Sequence, residues 1–184
     1  MCISKAIIKV AIYGASATGK SALSEVLKDH FEDKNMRIRH CGDAVRDRAK
    51  LLGLKSLSQL NKKDHDAIDD ETRRAIFDAV SIIVEGRYLH YVLSGINDVV
   101  YVSLNCSLSE RAARIARRNG LPLPRAREII VISDAEDRQL IQKVYGNPLS
   151  FQASHVILDT TKLTIAQTAD RVIEAIKSHY DETK

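Results

Sequence analysis

With 184 residues, 45% of them hydrophobic and 28% charged, the chain has the size and balance of one soluble domain, able to bury about 70% of its unfolded surface. No run approaches the roughly 18 apolar residues of a membrane span, and the N-terminal apolar run is short and broken by Lys9, so a cytoplasmic protein with no membrane partner is expected. A net charge of +4 suits anionic ligands, but the arginines gather between Arg111 and Arg127 without interleaved aromatic residues, which argues against nucleic acid; Cys2, Cys41 and Cys106 lack C-x-x-C spacing, which argues against a zinc site or disulfide framework.

The apolar run at 6–13 reads as a strand buried on both faces. Residues 14–21, GASATGKS, follow it and fit G-x-x-x-x-G-K-[ST]; Leu23, Val26 and Leu27 then recur at helical spacing as far as Phe31. The motif therefore occupies a strand-to-helix turn. A second strand is expected over 36–40, then a helix over 44–52 with Asp43 as its N-cap and Gly53 as its stop. A helical turn at 56–60 precedes a helix over 64–79 that turns Ile68, Ile76, Phe77 and Val80 toward the core. Strands follow over 81–85, SIIVE, and 98–104, DVVYVSL. An arginine-rich helix over 108–119 ends at Gly120 and Pro122, a long helix covers 125–145, and HVILD over 155–159 is the fifth strand. The last helix, 163–179, sets Ile165, Ala169, Val172, Ile173 and Ile176 on one side, with a frayed tail over 180–184. Strands alternating with helices predict an α/β fold: a five-stranded parallel sheet between two helical layers, one domain over 1–184, with ligands at the carboxyl ends of the strands.

GASATGKS carries the most specific chemistry. Gly14 and Gly19 let the chain wrap closely, so that the amides of Gly14, Ala15, Ser16, Ala17, Thr18 and Gly19 cradle phosphate at the positive end of the helix dipole. Lys20 would reach the β and γ phosphates, and the Ser21 hydroxyl would ligate magnesium. Three further groups fall where strands should end. Arg46, one turn after Asp43, can fork onto an acceptor phosphate; the bland alternatives are a capping Asp43 and a solvated arginine. Glu85 at a buried strand tip needs a partner, either magnesium and its waters or an ion pair, and Arg87 suits a second phosphate clamp. Arg111, Arg114 and Arg118 share a helix face beside the turn at 119–124, as a lid or as a solvated basic face, and Arg138 lies on the helix that follows. Asn61-Lys62-Lys63-Asp64 fits the guanine-reading N-K-x-D pattern, but it follows a helical turn rather than an apolar strand, and no D-x-x-G precedes it.

Together, GASATGKS, CGDAVR, EGRYL, ERAARIARRNG, Asp137-Arg138 with Tyr145-Gly146, and HVILDTT give the chain a likeness over nearly its whole length. It resembles the nucleoside monophosphate kinases, most closely the short cytidylate kinase-like branch typical of archaea. That resemblance implies a P-loop kinase with an acceptor-binding helical insert at about 42–80 and a short lid at about 111–127. It implies ATP and Mg²⁺, with CMP or dCMP as the foremost acceptor. Lys20, Arg87, Arg118 and Arg138 would act on the transferred group, Arg114 would join residues 14–21 at ATP, Asp43, Arg46 and Arg87 would bind the acceptor, and Ser21 and Glu85 would serve the metal. A small-molecule nucleotide substrate and a monomer or weak homodimer are expected. Asn119 stands where that branch tends to have glutamate, and Asn147-Pro148 where Ile-Asp is usual. Two alternatives stay open: a kinase of the same architecture for a nucleoside, sugar acid or coenzyme precursor, and a non-catalytic ATP-binding regulatory module.

Overall fold

Every residue of the first strand, β1 (Lys9–Tyr13), is buried, because helices cover both faces of the sheet it centres. The computed structural model describes residues 7–32, 35–146 and 154–182. After β1 come α1 (Lys20–His30), β2 (Arg37–His40), α2 (Cys41–Leu51), a 3₁₀ turn (Leu57–Gln59), α3 (Lys62–Asp78), β3 (Ile82–Gly86) and α4 (Leu89–Val92). The rest is β4 (Val100–Asn105), α5 (Leu108–Asn119), α6 (Leu123–Val144), β5 (Val156–Asp159) and α7 (Ile165–Glu182). The strands are all parallel in the order β2-β3-β1-β4-β5. Chain direction across the sheet reverses at β1, so a ligand crevice opens at its carboxyl end.

Side-chain alternation builds the two layers. Val10 and Ile12 pack with Leu23 and Leu27 of α1 and Val172 and Ile176 of α7. Ala11 and Tyr13 pack on the opposite face with Ile76, Leu89, Leu93 and Tyr101. A third, smaller cluster joins α5 to α6 through Ile115, Ala126 and Ile130, with Ala17 against it, so the glycine-rich turn leans on the arginine helix. The order of elements and the five-stranded parallel sheet agree with the sequence reading.

Several local expectations do not hold. Helix α2 starts at Cys41, directly from β2, so its N-cap is His40; Asp43 lies inside the first turn, where its charge still suits the helix dipole. Phe77 and Val80 are 63% and 71% exposed. The buried stripe of α3 runs through Ile68, Thr72 and Ile76 at four-residue spacing, which rotates Phe77 off it, and Val80 lies beyond the helix. Ile165 is exposed because the buried stripe of α7 starts a turn later, at Thr168 and Ala169. Nor does the tail fray at Tyr180: α7 continues to Glu182, and the Tyr180 hydroxyl accepts the Lys9 N–H at 2.8 Å, fastening the last helix to β1.

The N-K-x-D look-alike is a capping box. Asn61 accepts the Asp64 N–H at 3.2 Å, and Asp64 accepts the Asn61 N–H at 3.1 Å. Asp64 also takes Arg48 Nη2 at 3.0 Å, tying α2 to α3. The Asn61 N–H first, and Arg48 after it, hold the Asp64 carboxyl below its usual range. Cys41 and Cys106 are free thiols; Cys2 and Asn147-Pro148 lie outside the described residues.

Candidate active site

The turn between β1 and α1 depends on backbone that only small residues tolerate. Gly14 has φ +148°, and a Cβ there would fall 2.2 Å from the Leu104 carbonyl oxygen of β4; Ala17 and Gly19 have φ of +63° and +102°. Alternating handedness of this kind turns successive amides toward one concavity. Gly19, the N-cap of α1, brings no side chain to the first-turn amides, and that turn carries no acidic residue. The result is a cup for an anion. Lys20 folds over it, its Nζ donating to the Gly14 and Ala15 carbonyls at 2.9 and 2.8 Å. Burial, and then the Arg87 charge, lowers the Lys20 ammonium to about 8. The Thr18 hydroxyl closes the loop on the Ala15 carbonyl at 3.0 Å, and the Ser16 carbonyl takes Arg111 Nη1 at 3.4 Å.

Glu85 reaches the cup from the tip of β3. Its Oε1 accepts the Ser21 hydroxyl at 2.7 Å and faces His40 Nδ1 at 2.7 Å, while Oε2 accepts the Ser24 hydroxyl at 3.1 Å. Among the described residues no three His, Cys, Asp or Glu side chains cluster as a metal cage. The Ser21 hydroxyl with the Glu85 carboxylate is instead a pair of hard oxygen donors, suited to a cation such as magnesium whose remaining ligands come from phosphate and water.

Cations line the opposite side. Arg87, two residues past Glu85, donates from Nη1 to Asp137 at 2.5 Å and to Ser133 at 3.0 Å, both on α6. The Tyr88 hydroxyl donates to the same Asp137, and burial, followed by that carboxylate, raises its pKa. Arg111 forms a two-pronged pair with Asp134, Nη1 to Oδ1 at 2.9 Å and Nη2 to Oδ2 at 2.6 Å. Arg114 braces the back of the cup: Nη1 donates to the Ala17 carbonyl at 3.3 Å and Nη2 to the Thr160 carbonyl at 2.6 Å. A cleft of about 900 Å³ runs between β2, α2 and α3, with His40 and Asp43 among its lining residues. Nearby, Tyr145 donates to Asp69 at 2.8 Å, and burial raises the Asp69 carboxyl to about 6.

Residues 14–21, Glu85, Arg87 and Arg114 thus come together. Four other candidates stand apart. Asp43 and Arg46 pair with one another on the exposed side of α2, Arg118 is exposed at the end of α5 with its Nε on Asn119, and Arg138 is exposed on α6, one position past Asp137. His40, Ser24, Ser133 and Asp134 are additions that motif reading did not single out. A signal for two of them existed. His40 and Glu85 are register partners at the ends of adjacent strands, and Ser24 follows Ser21 by one short helical turn.

Comparison with known proteins gives the same picture. A cytidylate kinase of Sulfurisphaera tokodaii is 31% identical over 175 residues, spanning 90% of this chain and 93% of that one. An uncharacterised protein from Eubacterium ventriosum superposes with a TM-score of 0.73 at 13% identity, covering 93% of this chain and 99% of its own. A gluconokinase from Sinorhizobium meliloti superposes with a TM-score of 0.65 at 13% identity, covering 96% and 95%. The fold and the cationic phosphate cup define a phosphotransferase of the P-loop kinase class. Within that class the chain belongs to the cytidylate kinase-like family, whose model matches residues 4–162. Among the described residues, no helix is long and apolar enough to cross a membrane.

Proposed function

We propose that this enzyme moves the γ-phosphoryl group of ATP to a nucleoside monophosphate, CMP or dCMP foremost, giving ADP and a nucleoside diphosphate. The observation that carries the reading is the pairing, across one space, of the Lys20 cup with Arg87: a site for one polyphosphate faces a guanidinium placed for a second anion. Lys20 exchanges two loop carbonyls for phosphate oxygens, and Arg87 exchanges Asp137 for the acceptor phosphate. Arg111 and Arg114 hold the loop from behind. Ser21 and Glu85 are the residues that would hold magnesium, which when bound supplies charge neutralisation at the β and γ oxygens.

Asp43 lines the cleft between α2 and α3 and pairs with Arg46, which supports placing the acceptor nucleoside there. Arg118 and Arg138 reach the transferred group only when the segment around Gly120 closes, which also excludes water. No covalent intermediate is needed; positioning and charge compensation supply the rate.

The gluconokinase shares the fold alone, so the test must vary the acceptor. ADP release is measured with ATP and, in turn, CMP, dCMP, UMP, AMP, GMP and gluconate. CMP or dCMP is expected to lead by about tenfold or more in kcat/KM, the discrimination that polar contacts to a base readily provide. Activity with gluconate alone, or with no monophosphate, overturns the reading. Arg87→Ala is expected to raise the acceptor KM by about 10²-fold, in line with loss of a charge-assisted contact, while the ATP KM changes little. An unchanged acceptor KM removes Arg87 from the site.

A further inference from the structure

We infer that His40 is a positioning residue for the Glu85 carboxylate, and through it for the magnesium ion of the phosphate cup. The inference rests on the metal assignment proposed above. Glu85 is 7% exposed, so its charge depends on the few groups that touch it. Among the described residues its hydrogen-bond partners are Ser21 and His40 on Oε1 and Ser24 on Oε2.

The three are not equivalent. The Ser24 hydroxyl has one hydrogen and lies 3.1 Å from both Glu85 Oε2 and the Lys20 carbonyl, so its donation is shared. The Ser21 hydroxyl is the motif's own metal ligand. If its oxygen ligated a cation through a lone pair, its O–H could still donate to Glu85, but its place would follow the ion rather than orient the carboxylate independently. Among the described residues the His40 ring has no other hydrogen-bond partner. A carboxylate offers only acceptors, so the ring nitrogen facing it carries the hydrogen, and Nδ1–H donates to Oε1 at 2.7 Å.

The backbone fixes the point from which this ring projects. His40 is the last residue of β2, in register with Glu85 across the ladder, and also the N-cap of α2. Its Cα is therefore held relative to Glu85, and the Nδ1–Oε1 contact orients the ring. It can therefore set the angle of the carboxylate that serves the metal, the task outer partners of metal ligands perform.

Three variants separate this role from a merely structural one. In Asn the amide nitrogen is bonded to Cγ, like Nδ1 of His, whereas in Gln it lies one bond further out. His40→Asn should keep the contact, and His40→Gln and His40→Ala should lose it. ATP affinity is measured by calorimetry across a magnesium titration and in EDTA, with melting temperature recorded for each protein. In His40→Ala and His40→Gln the magnesium concentration giving half of the affinity gain is expected to rise about tenfold, at the low end for lost outer partners of metal ligands. His40→Asn should stay within about twofold of wild type, and affinity in EDTA should be unchanged throughout. If Ala and Gln variants titrate like wild type, or if Asn fails as badly as Ala, His40 has no positioning role. If wild-type ATP affinity itself ignores magnesium, the metal assignment falls first and this inference with it.

Discussion

Replacing Lys20 with alanine is expected to lower ADP formation by about 10³-fold, the scale of losing a preorganised donor at a site of developing charge. The fold should survive the change. Lys20 bonds only to carbonyls of its own loop, at 2.9 and 2.8 Å, so no contact between elements is lost. Burial lowers its ammonium to about 8, below the ordinary lysine value of 10.5, so in the nucleotide-free protein the charge opposes folding at neutral pH. That opposition is full below about 8 and fades as pH rises toward 10.5. The alanine variant should therefore melt no lower than wild type at pH 7. Steady-state ADP release and a thermal melt on the same preparation check both halves. A variant that keeps more than a tenth of the wild-type rate would remove Lys20 from the chemistry.

Gly14→Ala is expected to cost about 3 kcal/mol of stability, at the upper end for a strained backbone position, and to abolish ATP binding. The Cβ would sit 2.2 Å from the Leu104 carbonyl oxygen, a backbone atom of β4 that can move only with the sheet. Gly19→Ala is the control. Gly19 also has positive φ, but the nearest atom to its Cβ would be Arg114 Nη1 at 3.7 Å, so only conformational strain of about 1 kcal/mol applies. Denaturant midpoints at constant m-value measure the difference. Equal losses at the two glycines would mean that the contact with β4 is not what restricts Gly14.

Features governed by local rules were legible from the chain alone. Buried runs of apolar residues marked β1, β3 and β4; glycines marked the turn at 14–19 and the end of α5; the phosphate motif located the cup because it constrains neighbouring residues. What escaped depends on partners far along the chain. The sequence suggests Arg87 as a phosphate clamp, but its resting partners Ser133 and Asp137 lie on α6 and give no local sign. Phe77 was misjudged because a long helix with several apolar residues allows more than one buried stripe, and only packing against the sheet selects Thr72 and Ile76. Asp43 reads as a cap because aspartate before a helical run favours that role; α2 follows β2 without a loop, which moves the cap to His40.

The order of the sheet also bears on how the protein is made. The strand translated first stands in the middle, and its two neighbours, Ile82–Gly86 and Val100–Asn105, emerge from the ribosome much later. Until then a mostly apolar segment, with both its edges unpaired, waits in the nascent chain, and such segments invite holding chaperones or aggregation. Slow codons placed far enough past Asn105 for β4 to have left the ribosome would give this segment time to dock before the rest of the polypeptide follows.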